Sequence, residues 1–230
     1  MRGIRLLAIA SAIVLVGCST DNPAAPVATP VPSAPPSTTP APSESASPAS
    51  DQVIAASALL QPADLGGSTL EPLAEGQSEH LRPARPCDAR YPSDATRTSA
   101  VAMRAQVSSG EGQTPTIVIQ YVGRHPGHAD KAFDEIAAAV RRCPGGLGEG
   151  ERQWRTAGEG GAGDESLLLR VSERIEYGGQ ETTVTTPVVV ARVGDYITVV
   201  ADLGWESAGG DEQRVRQLAT TAADRLRAAR

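Results

Sequence analysis

Aromatic side chains are scarce in this 230-residue chain: one phenylalanine, two tryptophans and four tyrosines, 3% of the whole. That scarcity removes the stacking platforms on which single-stranded nucleic acids and many glycans are read. Lysine is scarcer still, with Lys131 alone among 21 basic residues. A formal charge of −6 repels anionic lipid and nucleic acid, so no nucleic-acid partner is expected. Only three cysteines and three histidines are present, which leaves little material for a zinc site. Neither G-x-S-x-G nor S-x-x-K surrounds a serine, so those two serine-nucleophile patterns are missing. Long hydrophobic runs are missing as well. The longest apolar stretch, Leu6 to Val16, is eleven residues, too short to cross a bilayer as a helix.

That short run is the most informative stretch present. Arg2 and Arg5 precede it, and Leu15-Val16-Gly17-Cys18 ends it. A positive start, an apolar core and small residues before the cut make a secretory signal, expected over residues 1–17. A cysteine directly after Gly17 makes it a lipoprotein signal. The Cys18 thiol takes a diacylglyceryl group, and cleavage before it exposes an amine for a further, palmitate-type acyl chain. Two or three chains, at about 0.8 kcal/mol per buried CH₂, give stable anchoring. The expected location is extracytoplasmic, on the outer face of the cytoplasmic membrane. Losing Arg2 and Arg5 takes the charge from −6 to −8.

Residues 19–50 are nearly all Ser, Thr, Pro and Ala and hold nine of the 18 prolines. Such a stretch cannot bury enough surface to offset its ordering entropy and is expected to stay disordered. At about 3.1 Å per extended residue it reaches roughly 100 Å. Residues 51–230 remain as a single domain, long enough for a core of its own. With Cys18 acylated, Cys87 and Cys143 are expected to pair in an oxidising compartment. The closed loop of 57 residues is worth about 4 kcal/mol in chain entropy.

Within that domain, Gln52 to Leu60 reads as a short helix, with Val53, Ala56 and Leu60 on one face and Pro62 stopping it. Residues 68–96 read as irregular. Ser99 to Val107 alternates as a half-buried strand, and Pro115 to Val122 returns as its hairpin partner across a loop at 108–113. His128 to Arg142 reads as a helix, with Ala129, Phe133, Ile136 and Val140 in one apolar stripe. Cys143 continues that stripe, which aims its sulfur at the core. A strand at 153–157 precedes a glycine-rich loop. Ser166–Tyr177, Gln180–Val193 and Tyr196–Leu203 then form a three-stranded meander through Gly178-Gly179 and Gly194-Asp195. A helix from Asp211 to Ala229 closes the chain. The expected class is α+β: an antiparallel sheet, hairpin plus meander, with packed helices in a single domain.

Several constellations invite a site. Gly158-Glu159-Gly160-Gly161-Ala162-Gly163 spells G-x-G-x-x-G, but it leads into a strand, and Glu159 and Asp164 repel a pyrophosphate. His125 and His128 have the spacing of a metal pair but need further ligands, Asp130 among the candidates, so a surface loop is the expected reading. His80 stands isolated. Asp164 and Glu165 could form the carboxylate pair of a glycosidase. Adjacent strand residues face opposite ways, however, so they are not expected to share a site. Arg214, Arg216, Arg225, Arg227 and Arg230 read as the solvated side of the last helix, or a docking face. Trp154 and Trp205 each adjoin a glycine-containing loop and fit either a pocket wall or the core. No catalytic, cofactor or metal residue is assigned.

The parts together resemble actinobacterial sensor-domain lipoproteins and the extracellular domain of the PknH-like mycobacterial serine/threonine kinases. The resemblance rests on Leu59-Leu60 before Pro62-x-Asp64-Leu65, and on Pro86-Cys87 in an irregular loop. It rests also on Ala137 to Arg142 running into Cys143-Pro144, and on Gly163-Asp164-Glu165-Ser166 opening a strand. It implies a sheet and helices that form a ligand cleft without catalysis, and a Cys87–Cys143 bridge where the kinase domain has two. The expected function is a non-enzymatic sensing or binding domain for a small-molecule or envelope ligand, or for a protein partner. The alternatives are a lipid or glycolipid carrier and a cell-wall hydrolase.

Overall fold

The computed structural model describes residues 53–108 and 114–229. The expected signal at 1–17, Cys18, the 19–50 tether, the hairpin tip at 109–113 and Arg230 lie outside the described residues, as do residues 51 and 52. The strands are β1 (Glu71–Pro72), β2 (Ser99–Val107), β3 (Thr116–Arg124), β4 (Arg152–Gly158), β5 (Glu165–Tyr177), β6 (Gln180–Val193) and β7 (Tyr196–Asp202). The helices are α1 (Ala129–Arg142), between β3 and β4, and α2 (Glu212–Ala228), after β7. One antiparallel sheet runs in the order β1-β2-β3-β7-β6-β5-β4. The expected hairpin and meander are both there, and pairing of β3 with β7 joins them. Gly178 and Gly179, at φ of +61° and +77°, make the two-residue turn that sets Tyr177 opposite Gln180. Only residues that tolerate positive φ close such a hairpin.

Each face of the sheet carries one helix. On the first, Val215, Leu218, Ala222 and Leu226 of α2 pack with Val118, Val122, Leu168, Val189 and Val200. On the second, Ala129, Phe133, Ile136 and Val140 of α1 pack with Ile119, Leu169, Val188, Val190 and Val199. Val188, Val189 and Val190 are fully buried, because the central strand is covered from both sides. Each such side chain contributes about 1.5–3 kcal/mol by leaving water. The Asp211 side chain accepts the Arg214 N–H at 3.0 Å and caps α2, offsetting one of the donors a helix start leaves unpaired. The segment Ser47–Arg230 is one compact unit that contains both cores whole. It can therefore fold without the residues before it.

Two sequence expectations are corrected. Of the helix expected from Gln52 to Leu60, the described residues 53–60 form no α-helix; a single 3₁₀ turn spans Ala56–Ala58. Val53 is 79% exposed, while Ala58, Leu59 and Leu60 are buried in succession. Consecutive burial does not fit one helical face. The segment instead inserts as extended chain, with Leu60 N–H donating to Gln120 Oε1 at 2.9 Å and the Gln61 amide donating to the Ala56, Leu59 and Leu60 carbonyls. Nor does Cys143 aim at the core. It leaves the helix at φ −131°, ψ 80° because the following Pro144 disfavours helical geometry at the residue before it. Its sulfur meets Cys87, an exposed residue, at the surface, with the two Cα atoms 6.2 Å apart.

Candidate functional site

The constellations singled out in the sequence are mostly absorbed by the fold. His125 is 3% exposed, and its Nδ1 lies 3.2 Å from the Ser93 carbonyl and 3.3 Å from Thr96 Oγ1. Burial and then the Arg97 charge lower its pKa. It fastens the 92–96 turn to the end of β3, while His128 sits exposed at the start of α1. No cluster of three or more potential metal ligands forms among the described residues. The glycine-rich loop is tied to α2, with Arg216 Nη1 donating to the Glu159 carbonyl at 2.6 Å.

Asp164 and Glu165, expected to diverge, both reach Arg192, at 3.4 and 3.3 Å. Asp164 precedes the strand, so strand alternation does not govern it. It also accepts the Gly194 N–H at 2.7 Å and pairs with Arg227 at 3.7 Å. The α2 arginines are not one solvated face. Arg214 pairs with the fully buried Asp202 at 2.7 Å. Arg225 grips both Asp64 oxygens at 2.6 and 2.9 Å, and that contact comes first in lowering the Asp64 pKa.

What the sequence left scattered converges on the α1 side of the sheet, beside the disulfide. There the floor is built from cross-strand rows. Trp154 lies opposite Val171, which lies opposite Thr186. In the next row Arg152 faces Glu173, which faces Val184. Side chains in such rows share a face, and Arg152 Nε accordingly sits 3.0 Å from Glu173 Oε2.

Two walls stand over this floor. One is the segment carrying His80, Arg85, Cys87 and Asp88; the other is the glycine-rich stretch from Gly145 to Glu151. The Cys87–Cys143 bridge joins the first wall to the end of α1, where the second wall begins. Gly145, at φ +65°, lies so close to the Arg152 carbonyl that a Cβ there would collide with it. Between the walls is a cavity of about 450 Å³. A second, of about 460 Å³, adjoins it over Val171, Ile175, Val184 and Leu203. His80, Asp88 and Arg152 line both, so the two are chambers of one cleft, of the size that takes small molecules.

The electrostatics follow from burial and pairing. His80 packs edge-on against Trp154, with ring centroids 6.1 Å apart. Burial, then the Arg152 charge, push its pKa down to about 4 against the opposing pull of Asp88. It is therefore a neutral hydrogen-bonding ring at physiological pH. Arg85 is engaged elsewhere: Nη2 donates to both Asp94 oxygens at 2.8 and 2.9 Å, and Nη1 to the Ala89 carbonyl at 2.8 Å. Burial raises the Asp94 pKa, but the Arg85 contacts, the Tyr91 N–H and Arg97 outweigh it and leave the carboxyl below its ordinary value. Buried Tyr91 donates to the Ala84 carbonyl at 2.6 Å, fixing the base of that wall. Trp205 does not line the cleft; it forms a small bridge with Ala208 and lines a separate cavity of about 500 Å³ beside Thr116 and Arg214.

Sequence reading missed His80, Arg152 and Asp88 as neighbours because Arg152 lies far along the chain from the other two. It meets them only where the 80s segment packs over β4, through buried Leu81 and Ala84 and the Cys87–Cys143 tie. The one usable signal was the pair Cys87 and Cys143, each followed or preceded closely by these residues. No protein-family model matches the chain, and no curated protein matches it.

Proposed function

We propose that this chain is an extracytoplasmic lipoprotein, anchored through acylated Cys18, whose folded domain binds or senses a ligand without turning it over. The observation that carries the reading is the two-chambered cleft between the disulfide-linked wall and β4–β6. A domain fixed to a membrane by lipid, on a long Pro/Ser/Thr tether, and offering a cleft of small-molecule size is suited to sampling the envelope. The resemblance to the PknH-like outer domains supports the same reading, a domain that binds a ligand and signals through a partner. The carboxylates that suggested glycoside chemistry, Asp164 and Glu165, are held by Arg192 away from the cleft lining.

Native mass spectrometry of residues 47–230, purified without reduction and exposed to envelope extract, tests this reading. A non-covalent adduct lost on closing the cleft supports it. Fragments of that adduct containing long acyl chains would assign the protein to lipid carriage instead. A bare mass under all conditions overturns small-molecule capture. Mass analysis of the full chain expressed in its membrane separately tests for diacylglycerol on Cys18.

A further inference from the structure

The charges that line the cleft differ in what holds them. This inference rests on the cleft being a binding site. Both basic residues face a carboxylate: Arg85 donates to Asp94 and to the Ala89 carbonyl, and Arg152 is ion-paired with Glu173 at 3.0 Å, although its buried Nε makes no hydrogen bond among the described residues. His80 is neutral at physiological pH. The carboxylates on the opposite account are looser. Glu79 and Asp88, both on the wall of the second chamber, make no side-chain hydrogen bond or ion pair among the described residues. Glu206, also on that chamber, accepts only the Tyr177 hydroxyl, at 2.5 Å. Beneath them the floor is aliphatic at Val171, Ile175, Val184 and Leu203, interrupted by Thr186 and the Arg152–Glu173 pair. With Arg152 balanced by Glu173, the exposed carboxylates of Glu79, Asp88 and Glu206 leave the chamber mouth net negative above a largely apolar floor, which draws in a cation.

We propose that the second chamber takes a small organic cation, a primary ammonium on an aliphatic stem. The stem lies along Val171, Ile175 and Val184, and the ammonium faces Glu79, Asp88 and Glu206. Free carboxylates and phosphates are excluded by the same three side chains. An ammonium supplies three donors to acceptors that lack them, and the stem gains from leaving water at the aliphatic floor.

The test uses residues 47–230 and three probes of equal length: n-pentylammonium, 1-pentanol and pentanoate. Two-dimensional NMR follows the Val184 amide, the His80 ring and the Trp154 indole. Pentylammonium is expected to shift these signals with at least tenfold higher affinity than pentanol, and pentanoate to leave them unmoved. The double substitution Glu79→Gln, Asp88→Asn is expected to remove that tenfold preference while the unfolding temperature and the pentanol response stay as they were. If pentanol binds as well as pentylammonium, the cleft binds ligands but the charge assignment is wrong. If pentanoate binds best, the assignment is reversed in sign and the inference falls. If no probe moves any of the three signals, the inference falls and the cleft itself is in question.

Discussion

Replacing Cys87 and Cys143 together by serine removes the link between the cleft's two walls and leaves every other contact in place. The bridge spans 56 positions, for which chain entropy gives about 4 kcal/mol. Part of that returns on release. Cys87 and Asp88 sit at φ +48° and +55°, a left-handed conformation that costs non-glycine residues of order 1 kcal/mol or more each. The net loss is therefore about 1–2 kcal/mol, a fall of roughly 2–8 °C in unfolding temperature for a domain of this size. The rest of the wall stays anchored, because Leu81 and Ala84 are fully buried and Arg85 still holds Asp94. The change should consequently be local. Thermal unfolding by circular dichroism measures the first part, and amide hydrogen exchange resolves the second. Faster exchange is expected at Arg85 to Arg90 and at Gly145 to Glu151, with β3, β6 and β7 unchanged. A loss under about 2 °C, or exchange that speeds up across the whole sheet, would refute the assignment of the bridge as a wall clamp.

Gly145→Ala places a Cβ against the Arg152 carbonyl at a positive φ and should cost about 1–3 kcal/mol, read as a lower urea midpoint. It should also displace any adduct from the first chamber. His80 gives a pH dependence whose sign is fixed: its folded pKa, about 4, lies below the ordinary 6.5. The unfolded chain therefore takes the proton first as pH falls, and stability present above about pH 6.5 drains away toward pH 4. The difference between native protein and a His80→Gln variant across that window should reach at most about 3 kcal/mol, less whatever solvent screening removes; parallel curves would sink the assignment. Arg225→Ala breaks a partly buried two-point clamp on Asp64 and should cost about 1–3 kcal/mol. Arg216→Ala, which loses an exposed pairing with Glu212 and the exposed hydrogen bond to the Glu159 carbonyl, should cost no more than about 1 kcal/mol by denaturant titration.

Local patterning carried most of the fold. Alternation marked β2 and β5, two-residue glycine turns marked the meander, and the spacing of Phe133, Ile136 and Val140 marked α1. These signals survive because each is a matter of neighbours within about ten residues, where side-chain period and burial coincide. Ala56 to Leu60 failed for the converse reason. Three consecutive apolar residues were buried by contact with α2 and Gln120, partners more than fifty residues away that no period announces. The site was less legible still. Asp164 and Glu165 drew attention by adjacency but serve as struts, whereas His80, Asp88 and Arg152 looked like ordinary loop and edge residues. Their meaning lies in proximity created by long-range packing of Leu81 and Ala84 and by one long-range bond.

The cleft itself follows from a mismatch in element length. β5 and β6 are 13 and 14 residues long, more than 40 Å at about 3.3 Å per residue. α1 is 14 residues, only about 21 Å at 1.5 Å per residue. β7 pairs with β6 only from Val188 to Val193, and β4 reaches only from Arg152 to Gly158. The half of the hairpin toward Gly178-Gly179 thus projects beyond the helix with aliphatic Val171, Ile175 and Val184 on its inner side. A long irregular segment, 73–96, roofs that remainder without filling it, and the disulfide holds the roof at a fixed height. Substitutions under α1 therefore act on stability through core packing. Those under the roof can alter what enters while leaving the sheet's register, fixed by the glycine turn and the central valines, as it is.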